Sequence, residues 1–516
     1  MKTLKSFLGG RAHEASATSR FARLHDPSTG EEIARASTEG ADFGAALEFA
    51  RLQGGPALRA LSFAQRAELL KGMSKVLREH RDELLDLSRQ NNGTTASDGA
   101  FDVDGATGAL FYYSTLGKAL GDRRVLADGE GVQIGRSETF WGEHALVSRR
   151  GVAIHINAFN FPAWGFGEKA AQALLAGMPV ITKPATATAL VTERAVEAIL
   201  AAGILPAGAL QLVCGGTGDL LDRLTPQDVL AFTGSADTAA MLRSRPHLLK
   251  VNARFNIEAD SLNAAVLAPD ATIDGTTFGL FIKDVSREIT QKAGQKCTAI
   301  RRLFVPQEKI DAVVEALSAR LAKVVVGNPA DPAVTMGPLA TASQLAEARA
   351  GVEALAAEAQ IVRGGSAPVT GLDQGYFLLP TLLRADDLDA APTIHRREVF
   401  APVATILPYD GSAARAAHAV SLGDGTLVTS IYTDDSGWLG AFLEHGGAST
   451  GRLYVGSATS EGFGSGAALP QSQHGGPGRA GDGAELGGLD GIKLYLQRLA
   501  LQGEKNLLRG AMGSTD

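Results

Sequence analysis

Cysteine is nearly absent: only Cys214 and Cys297 occur among 516 residues. A disulfide framework is excluded, and a reducing compartment, the cytoplasm, is expected. Neither cysteine shows metal-ligand spacing with any of the 10 histidines, so no metal site is expected. No run of 18 apolar residues suggests a membrane span, and Met1 to Gly10 hold no apolar core of signal-peptide length. Basic excess is also missing. Lys and Arg number 49 against 56 Asp and Glu, a net charge of −7, which argues against nucleic acid or an anionic membrane as partner. With 45% hydrophobic and 20% charged residues, disorder is excluded. No repeat of fixed period is present, and the length suggests about three domains. Glycine is the abundant residue, 61 in all, so tight turns and close backbone approaches are expected.

Strand and helix patterns alternate along the chain. Residues 26–33 read as a turn entering a strand. Helical spacing predicts a helix over 62–90 and another over 102–119. Val152 to Ile156 is a strand, 165–176 an Ala-rich helix, and Pro179 to Pro184 a strand stopped by its proline. A helix follows over 188–202, then strands at 209–214 and 229–232. The alternation restarts with a strand at Ala264 to Leu267 and a helix at 307–324. This order predicts an α/β fold with parallel sheets and helical crossovers. Residues 456–488, rich in Gly and Ser, read as a long loop of functional kind. The tail 491–503 alternates like a strand, and 132–148 like a protruding hairpin.

Several residues are candidates for chemistry. Cys297, flanked by small and polar residues, is either a nucleophile or an inert small core residue. Cys214 follows an apolar run and reads as structural. Glu258, at a strand end, is a general base with a raised pKa or a solvated surface carboxylate. Asn160, before Phe161-Pro162, is an oxyanion donor or a turn residue. Phe232-Thr233-Gly234-Ser235, between a strand and a helix, suits a pyrophosphate. Gly165-Phe166-Gly167-Glu168-Lys169-Ala170 matches a dinucleotide fingerprint only superficially and is discounted.

Six motifs in order make the chain similar to the aldehyde dehydrogenase superfamily over nearly its whole length. They are Asp26-Pro27-Ser28-Thr29-Gly30-Glu31, Asn160-Phe161-Pro162, Lys183-Pro184-Ala185, Phe232 to Ser235, Gly294-Gln295-Lys296-Cys297, and Glu398-Val399-Phe400-Ala401-Pro402. Three departures narrow the resemblance: Glu258-Ala259-Asp260-Ser261-Leu262-Asn263, Gly294 to Arg302, and His474 to Gly481. These resemble the semialdehyde dehydrogenases of phenylacetate and benzoyl-CoA degradation.

The resemblance implies a Rossmann-like cofactor domain (1–131 and 149–262), an α/β catalytic domain (263–455) and a small β oligomerisation element (132–148 and 489–516). The loop 456–488, with Trp164, shapes the substrate mouth. Cys297 attacks the aldehyde carbon to give a thiohemiacetal, whose oxyanion the Asn160 amide and the Cys297 backbone N–H hold. Oxidation leaves a thioester, and Glu258 activates water to hydrolyse it. Lys169 and Glu485 form a further proton relay. Lys183, Thr186, Gly234, Ser235, Glu398 and Phe400 bind the cofactor, with Glu398 on the nicotinamide ribose. A Glu in place of Thr186 would repel a 2′-phosphate; neutral Thr186 beside Lys183 predicts NADP, with NAD possible. Ala239 replaces a family glycine at the phosphate turn.

The substrate implied is a CoA-linked semialdehyde, 3,4-dehydroadipyl-CoA semialdehyde, in aromatic-compound degradation. A broad-range medium-chain aldehyde dehydrogenase is the alternative. A rival passes the thioester to free CoA, and Glu258 argues against it. A second rival is a catalytically dead fold used for binding, which the intact Cys297, Glu258 and Asn160 oppose. Strand addition through 132–148 and 491–503 predicts a homodimer or a dimer of dimers.

Overall fold

The computed structural model describes residues 1–460 and 464–512. Its architecture is mixed α/β with two seven-stranded sheets and smaller ones. In the first large sheet, five parallel strands run in the order Arg254–Glu258, Val229–Thr233, Ala153–Ile156, Val180–Lys183 and Leu210–Leu212. Ser6–Leu8 and Arg11–His13 extend it antiparallel. Helices cover both faces, so the central strands are buried throughout and read as apolar runs rather than alternations. The chain goes outward from Ala153–Ile156 on one side, then returns to its other side with Val229–Thr233. Such a reversal opens a crevice at the carboxyl ends of the strands.

The second large sheet has the order Gln360–Arg363, Thr381–Arg384, Val403–Tyr409, Arg302–Pro306, Ala264–Leu267, Thr426–Tyr432 and Thr450–Gly456. All its neighbours are parallel except the first pair. It too reverses direction, between Ala264–Leu267 and Thr426–Tyr432. Cys297 lies in the segment that joins helix Thr276–Thr290 to strand Arg302–Pro306.

Most sequence expectations for the elements hold, with shifts that have physical causes. The single helix over 62–90 is two helices, Phe63–Glu79 and Arg81–Asn92, broken at His80. The first starts with a capping box in which Ser62 and Gln65 satisfy each other's backbone N–H. The helix over 102–119 begins earlier, at Ala96, because the Thr95 hydroxyl caps it by accepting from Asp98 N–H. The 307–324 helix is α-helical over Ile310–Leu321.

The tail becomes a strand only at Leu496; Leu489–Ile492 and Lys493–Tyr495 are short helical turns. Strand Leu496–Glu504 pairs along its full length with Phe140–Ser148 of the same chain. Its partner is therefore internal on one edge, and only the other edge is left open in the sheet order. The hairpin at 132–148 is present, with Val132–Gln133 pairing Phe140–Ser148. The 456–488 segment contains a two-stranded ribbon, Gln473–His474 with Glu485–Leu486; 461–463 lie outside the described residues. No helix among the described residues is long and apolar enough to cross a membrane.

Candidate active site

The first sheet's strand ends deliver Asn157 after Ala153–Ile156, Thr233 to Ser235 after Val229–Thr233, and Glu258 at the end of Arg254–Glu258. Cys297 reaches them from the second sheet. Its loop holds a run of left-handed backbone: Lys292 (φ 53°), Ala293 (φ 52°) and Gly294 (φ 68°). A Cβ at Gly294 would stand 2.3 Å from the Ala401 carbonyl oxygen, so glycine is required there. Strain of this kind persists only where the surroundings fix it. Gln295 does the fixing: its amide donates to Lys292 O (3.1 Å) and its carbonyl oxygen accepts from Ala340 N–H (2.9 Å). Lys296 is fully buried on Glu288 (2.7 Å), and Asn263 donates to the Cys297 and Ala299 carbonyls (2.6 and 3.0 Å). The conformation around the sulfur is thus set by named hydrogen bonds on both sides.

Two cavities meet at Cys297. The narrower, about 540 Å³ of empty space, is walled by Phe101, Phe161, Trp164, Gly165, Gly466, Ala468 and His474. The larger, about 1490 Å³, is a groove over the strand ends of the first sheet. Asn157, Ala158, Asn160, Thr233, Glu258 and Cys297 line both. Asn160 is buried, and its amide donates to the Gln295 carbonyl at 3.0 Å, which ties it to the nucleophile loop.

His474 occupies the point between Cys297 and Glu258. Its Nε2 lies 3.4 Å from Cys297 Sγ and 3.0 Å from Glu258 Oε1. Behind Glu258 sits a buried charge cluster. Lys169 Nζ is 3.3 Å from Glu168 and 3.1 Å from Glu485, and Asn256 donates to Glu485 at 3.4 Å. Lys169 and Glu485 therefore meet, as expected from sequence. Burial alone would lower the Lys169 pKa, but Glu485, Glu168 and Glu258 outweigh it and raise it. Burial raises Glu168 and pushes Glu485 well above the usual carboxylate range.

Glu258 corrects the expectation of a raised pKa. Burial acts to raise it, but the charge and hydrogen bond of His474, then the charge of Lys169, override burial and hold it below the usual range. Cys297 moves the other way. Burial pushes its thiol well up, and Glu258, Glu168 and Glu485 add to the rise.

The groove carries Lys183, Gly234, Ser235, Glu398 and Phe400. Thr186 does not line it; its hydroxyl donates to the Gly215 carbonyl at 3.3 Å, one residue beyond the groove wall at Ala185. The Lys183 ammonium is mostly buried and donates to the Pro184 carbonyl, and burial lowers its pKa. That cation, the Ser235-capped start of helix Ala236–Arg243 and the acceptor Glu398 suit a phosphorylated nucleotide with ribose hydroxyls. A Cβ at Gly234 would meet the Phe232 ring at 2.5 Å, so the glycine keeps the groove wall low. Asp260, at the departure from the family motif, accepts from Ala236 N–H at 3.0 Å and so already caps that helix. Glu398 is held by Arg301 (3.2 Å) and Ser261 N–H (3.0 Å), and burial pushes it up to about 7.

Sequence reasoning missed His474 and Glu168. His474 was visible only as part of a distinctive Gly-rich stretch; no spacing links it to residues 177 and 216 positions away. Glu168 was passed over because it sits beside Lys169 in a discounted fingerprint.

The aldehyde dehydrogenase family model matches residues 13–499. The chain is 45% identical over 463 residues to the 3,4-dehydroadipyl-CoA semialdehyde dehydrogenase of Aromatoleum evansii, covering 88% of this chain and 90% of that one. It is 29% identical over 421 residues to a betaine aldehyde dehydrogenase of Vibrio vulnificus (strain CMCP6), 80% and 81% of the two chains. Among solved structures, one of a putative aldehyde dehydrogenase from Burkholderia cenocepacia superposes with a TM-score of 0.83 at 24% identity, covering 98% of both chains. A 3,6-anhydro-L-galactose dehydrogenase in complex with NAP gives 0.83 at 22%, covering 97% of this chain and 100% of the other. At these identities the structural likeness speaks for the fold.

Proposed function

This chain belongs to the aldehyde dehydrogenase family and oxidises an aldehyde, and from that premise we propose that its substrate is a CoA-linked semialdehyde and its nucleophile Cys297. The observation that carries the mechanism is the junction of the two cavities, where Cys297, Asn160 and Glu258 line both. An aldehyde entering the narrow cavity places its carbon against the sulfur. Cys297 forms the thiohemiacetal, and the Asn160 amide donates to the oxyanion. A nicotinamide cofactor, held in the groove by Lys183, Ser235, Glu398 and Phe400, supplies the two-electron acceptor. Glu258, ionised at neutral pH, takes a proton from the water that cleaves the thioester. Glu485 and Lys169 lie behind it and carry that proton away.

Thr186 and Lys183 favour NADP over NAD. A neutral side chain three residues from Lys183, whose ammonium donates to the Pro184 carbonyl and has no carboxylate partner among the described residues, accepts a 2′-phosphate that an acidic side chain would repel. The substrate class rests on the name of the Aromatoleum evansii relative. The walls Phe101, Phe161 and Trp164 suit an acyl arm. Two unpaired cysteines fit a reducing compartment such as the cytoplasm. A homodimer, alone or paired, is supported by the open edge of Leu496–Glu504 and by exposed Val132, Ile134 and Phe140 on the hairpin.

The test is cofactor reduction by the purified protein with a medium-chain aldehyde and with a CoA-linked semialdehyde, in the absence of free CoA. NADP and NAD are run in parallel, with Cys297→Ala as the blank. Faster turnover of the CoA-linked substrate with NADP, and release of acid, is the expected result. Turnover only after addition of free CoA would make this an acylating enzyme and remove the role given to Glu258.

A further inference from the structure

We propose that Lys292 is a specificity-determining residue: from behind the Phe161 ring, its ammonium locks the aromatic wall of the narrow cavity and so sets how tightly a long aldehyde arm is held. It acts through Phe161 and is a positioning residue, and the proposal rests on the reading that the aldehyde enters that cavity to meet Cys297. Phe161 lines the cavity, whereas Lys292 does not.

Three observations carry the inference. The first is what Lys292 meets. Its side chain is buried, and Nζ has no hydrogen-bond partner among the described residues. Its contact is the face of Phe161, with Nζ 4.2 Å from the ring centroid. An ammonium carries three donors and is costly to bury unpaired, and the negative face of an aromatic ring offsets part of that cost. The second is how Lys292 is held. Its backbone is left-handed (φ 53°), and Asp98 accepts its backbone N–H. Asp98 and Asp102, both on helix Ala96–Leu120, oppose the lowering of its pKa by burial, to which Lys296 adds. Asp102 also accepts from the Ala163 and Trp164 N–H groups at 3.2 and 2.7 Å. The turn that carries Asn160 and Phe161 is thus pinned from the helix side by Asp102 and from the nucleophile loop by Lys292. The third is what the ring holds in turn. Phe161 meets Phe101 and Trp164 edge to face, with centroids 5.7 and 5.8 Å apart, and those two meet each other at 5.2 Å. All three rings line the cavity, so freeing one loosens the whole wall. A lysine that only neutralised Asp98 and Asp102 would not need to lie over a ring of the substrate cavity.

The experiment compares octanal with propanal at saturating cofactor in the parent, Lys292→Met and Lys292→Arg. Methionine keeps the reach and removes the charge; arginine keeps a cation that can lie over a ring. A loosened wall loses binding that ground state and transition state share, so for Lys292→Met the octanal KM should rise about tenfold with kcat nearly unchanged. The kcat/KM for propanal, whose short arm offers the rings little surface, should stay within about twofold. Lys292→Arg should recover most of the octanal KM. Equal effects on the two aldehydes, or none, overturn the proposal, because a merely structural lysine carries no chain-length preference.

Should Lys292→Met not fold, the double variant with Asp98→Asn removes one buried carboxylate together with the cation and is read in the same way. Phe161→Leu tells two failures apart. If it raises the octanal KM while loss of the Lys292 charge does not, the role of Lys292 falls and the cavity keeps its own. If it leaves octanal turnover untouched, or if Cys297→Ala still oxidises aldehyde, the underlying reading fails.

Discussion

Each side chain proposed to react is defined by what presses on it. Glu258 is buried, which would neutralise it, yet His474 and Lys169 keep it ionised. Such a base is weak but always available at neutral pH, which suits a thioester already activated toward water. Glu258→Gln keeps the shape and removes the base. The expected outcome is one equivalent of reduced cofactor per active site in a rapid-mixing experiment, followed by turnover slowed by about 10²–10⁴, the usual span of general-base catalysis. An unchanged steady rate would assign the water-activating role to another group. In the proposed mechanism Asn160 acts earlier. Its amide is oriented by the Gln295 carbonyl at 3.0 Å, so Asn160→Ala removes a fixed donor rather than a floppy one. The acylation rate should fall by about 10²–10³, and the one-equivalent burst expected of Glu258→Gln should be absent from this variant. The two variants thus separate the two halves of the reaction.

The loop around Cys297 is the element on which the site depends. Its three left-handed residues place the sulfur at the cavity junction, and only the third is glycine. Gly294→Ala forces a Cβ to within 2.3 Å of the Ala401 carbonyl oxygen. We expect the variant to be destabilised by a few kcal/mol, on the order of 2–4, and to lose Cys297 alkylation together with activity, both read from one purified sample beside a urea titration. One residue beyond the groove wall, Thr186→Glu tests cofactor choice: the ratio of kcat/KM for NADP over NAD should fall, and an unchanged ratio removes Thr186 from the argument.

These elements also show what the sequence carries. The strands at 152–156, 179–184, 209–214, 229–232 and 264–267 were legible because burial on both faces makes them continuous apolar runs, whereas the other strands of the second sheet, such as Arg302–Pro306 and Val403–Tyr409, were not named; Cys297, Asn160 and Glu258 were legible because their flanking motifs are local. His474 was not, because its contacts with Cys297 and Glu258 exist only once the ribbon Gln473–His474 with Glu485–Leu486 has folded. The break at His80 was hidden because apolar spacing continues across it. The pKa direction of Glu258 was misjudged for the same reason as His474: sequence shows burial, but not which distant cation will be set against it.

At the scale of the whole molecule, the two sheets must hold their strand ends together, and a buried hub beneath the second sheet shows how that depends on pH. His395 stacks on Phe304 of strand Arg302–Pro306, with ring centroids 6.3 Å apart. Its Nε2–H donates to the Leu388 carbonyl (2.9 Å), and its Nδ1 accepts from Arg302 (2.9 Å). Arg302 in turn donates to the Ala419 and Val420 carbonyls at the end of helix Ala413–Ser421 and to Leu262, four residues past Glu258. The tautomer is fixed by these partners, and a second proton would have to enter against a guanidinium. Burial first, then the Arg302 charge, push the His395 pKa down to about 4 from 6.5. The unfolded chain therefore binds the extra proton more readily than the native one between those values. Native stability rises with pH across that window and falls on acidification through it, by about 2 kcal/mol at pH 5 relative to pH 7 from this group. His155, pushed down to about 3 by burial, acts with the same sign. The parent's thermal midpoint should drop by several degrees between pH 7 and pH 5. His395→Gln can keep both hydrogen bonds without titrating, so its drop should be smaller by the His395 share while the His155 share remains. Equal drops in the two proteins would mean that His395 is not neutral in the fold, and that the Arg302 hub is held by something other than this tautomer.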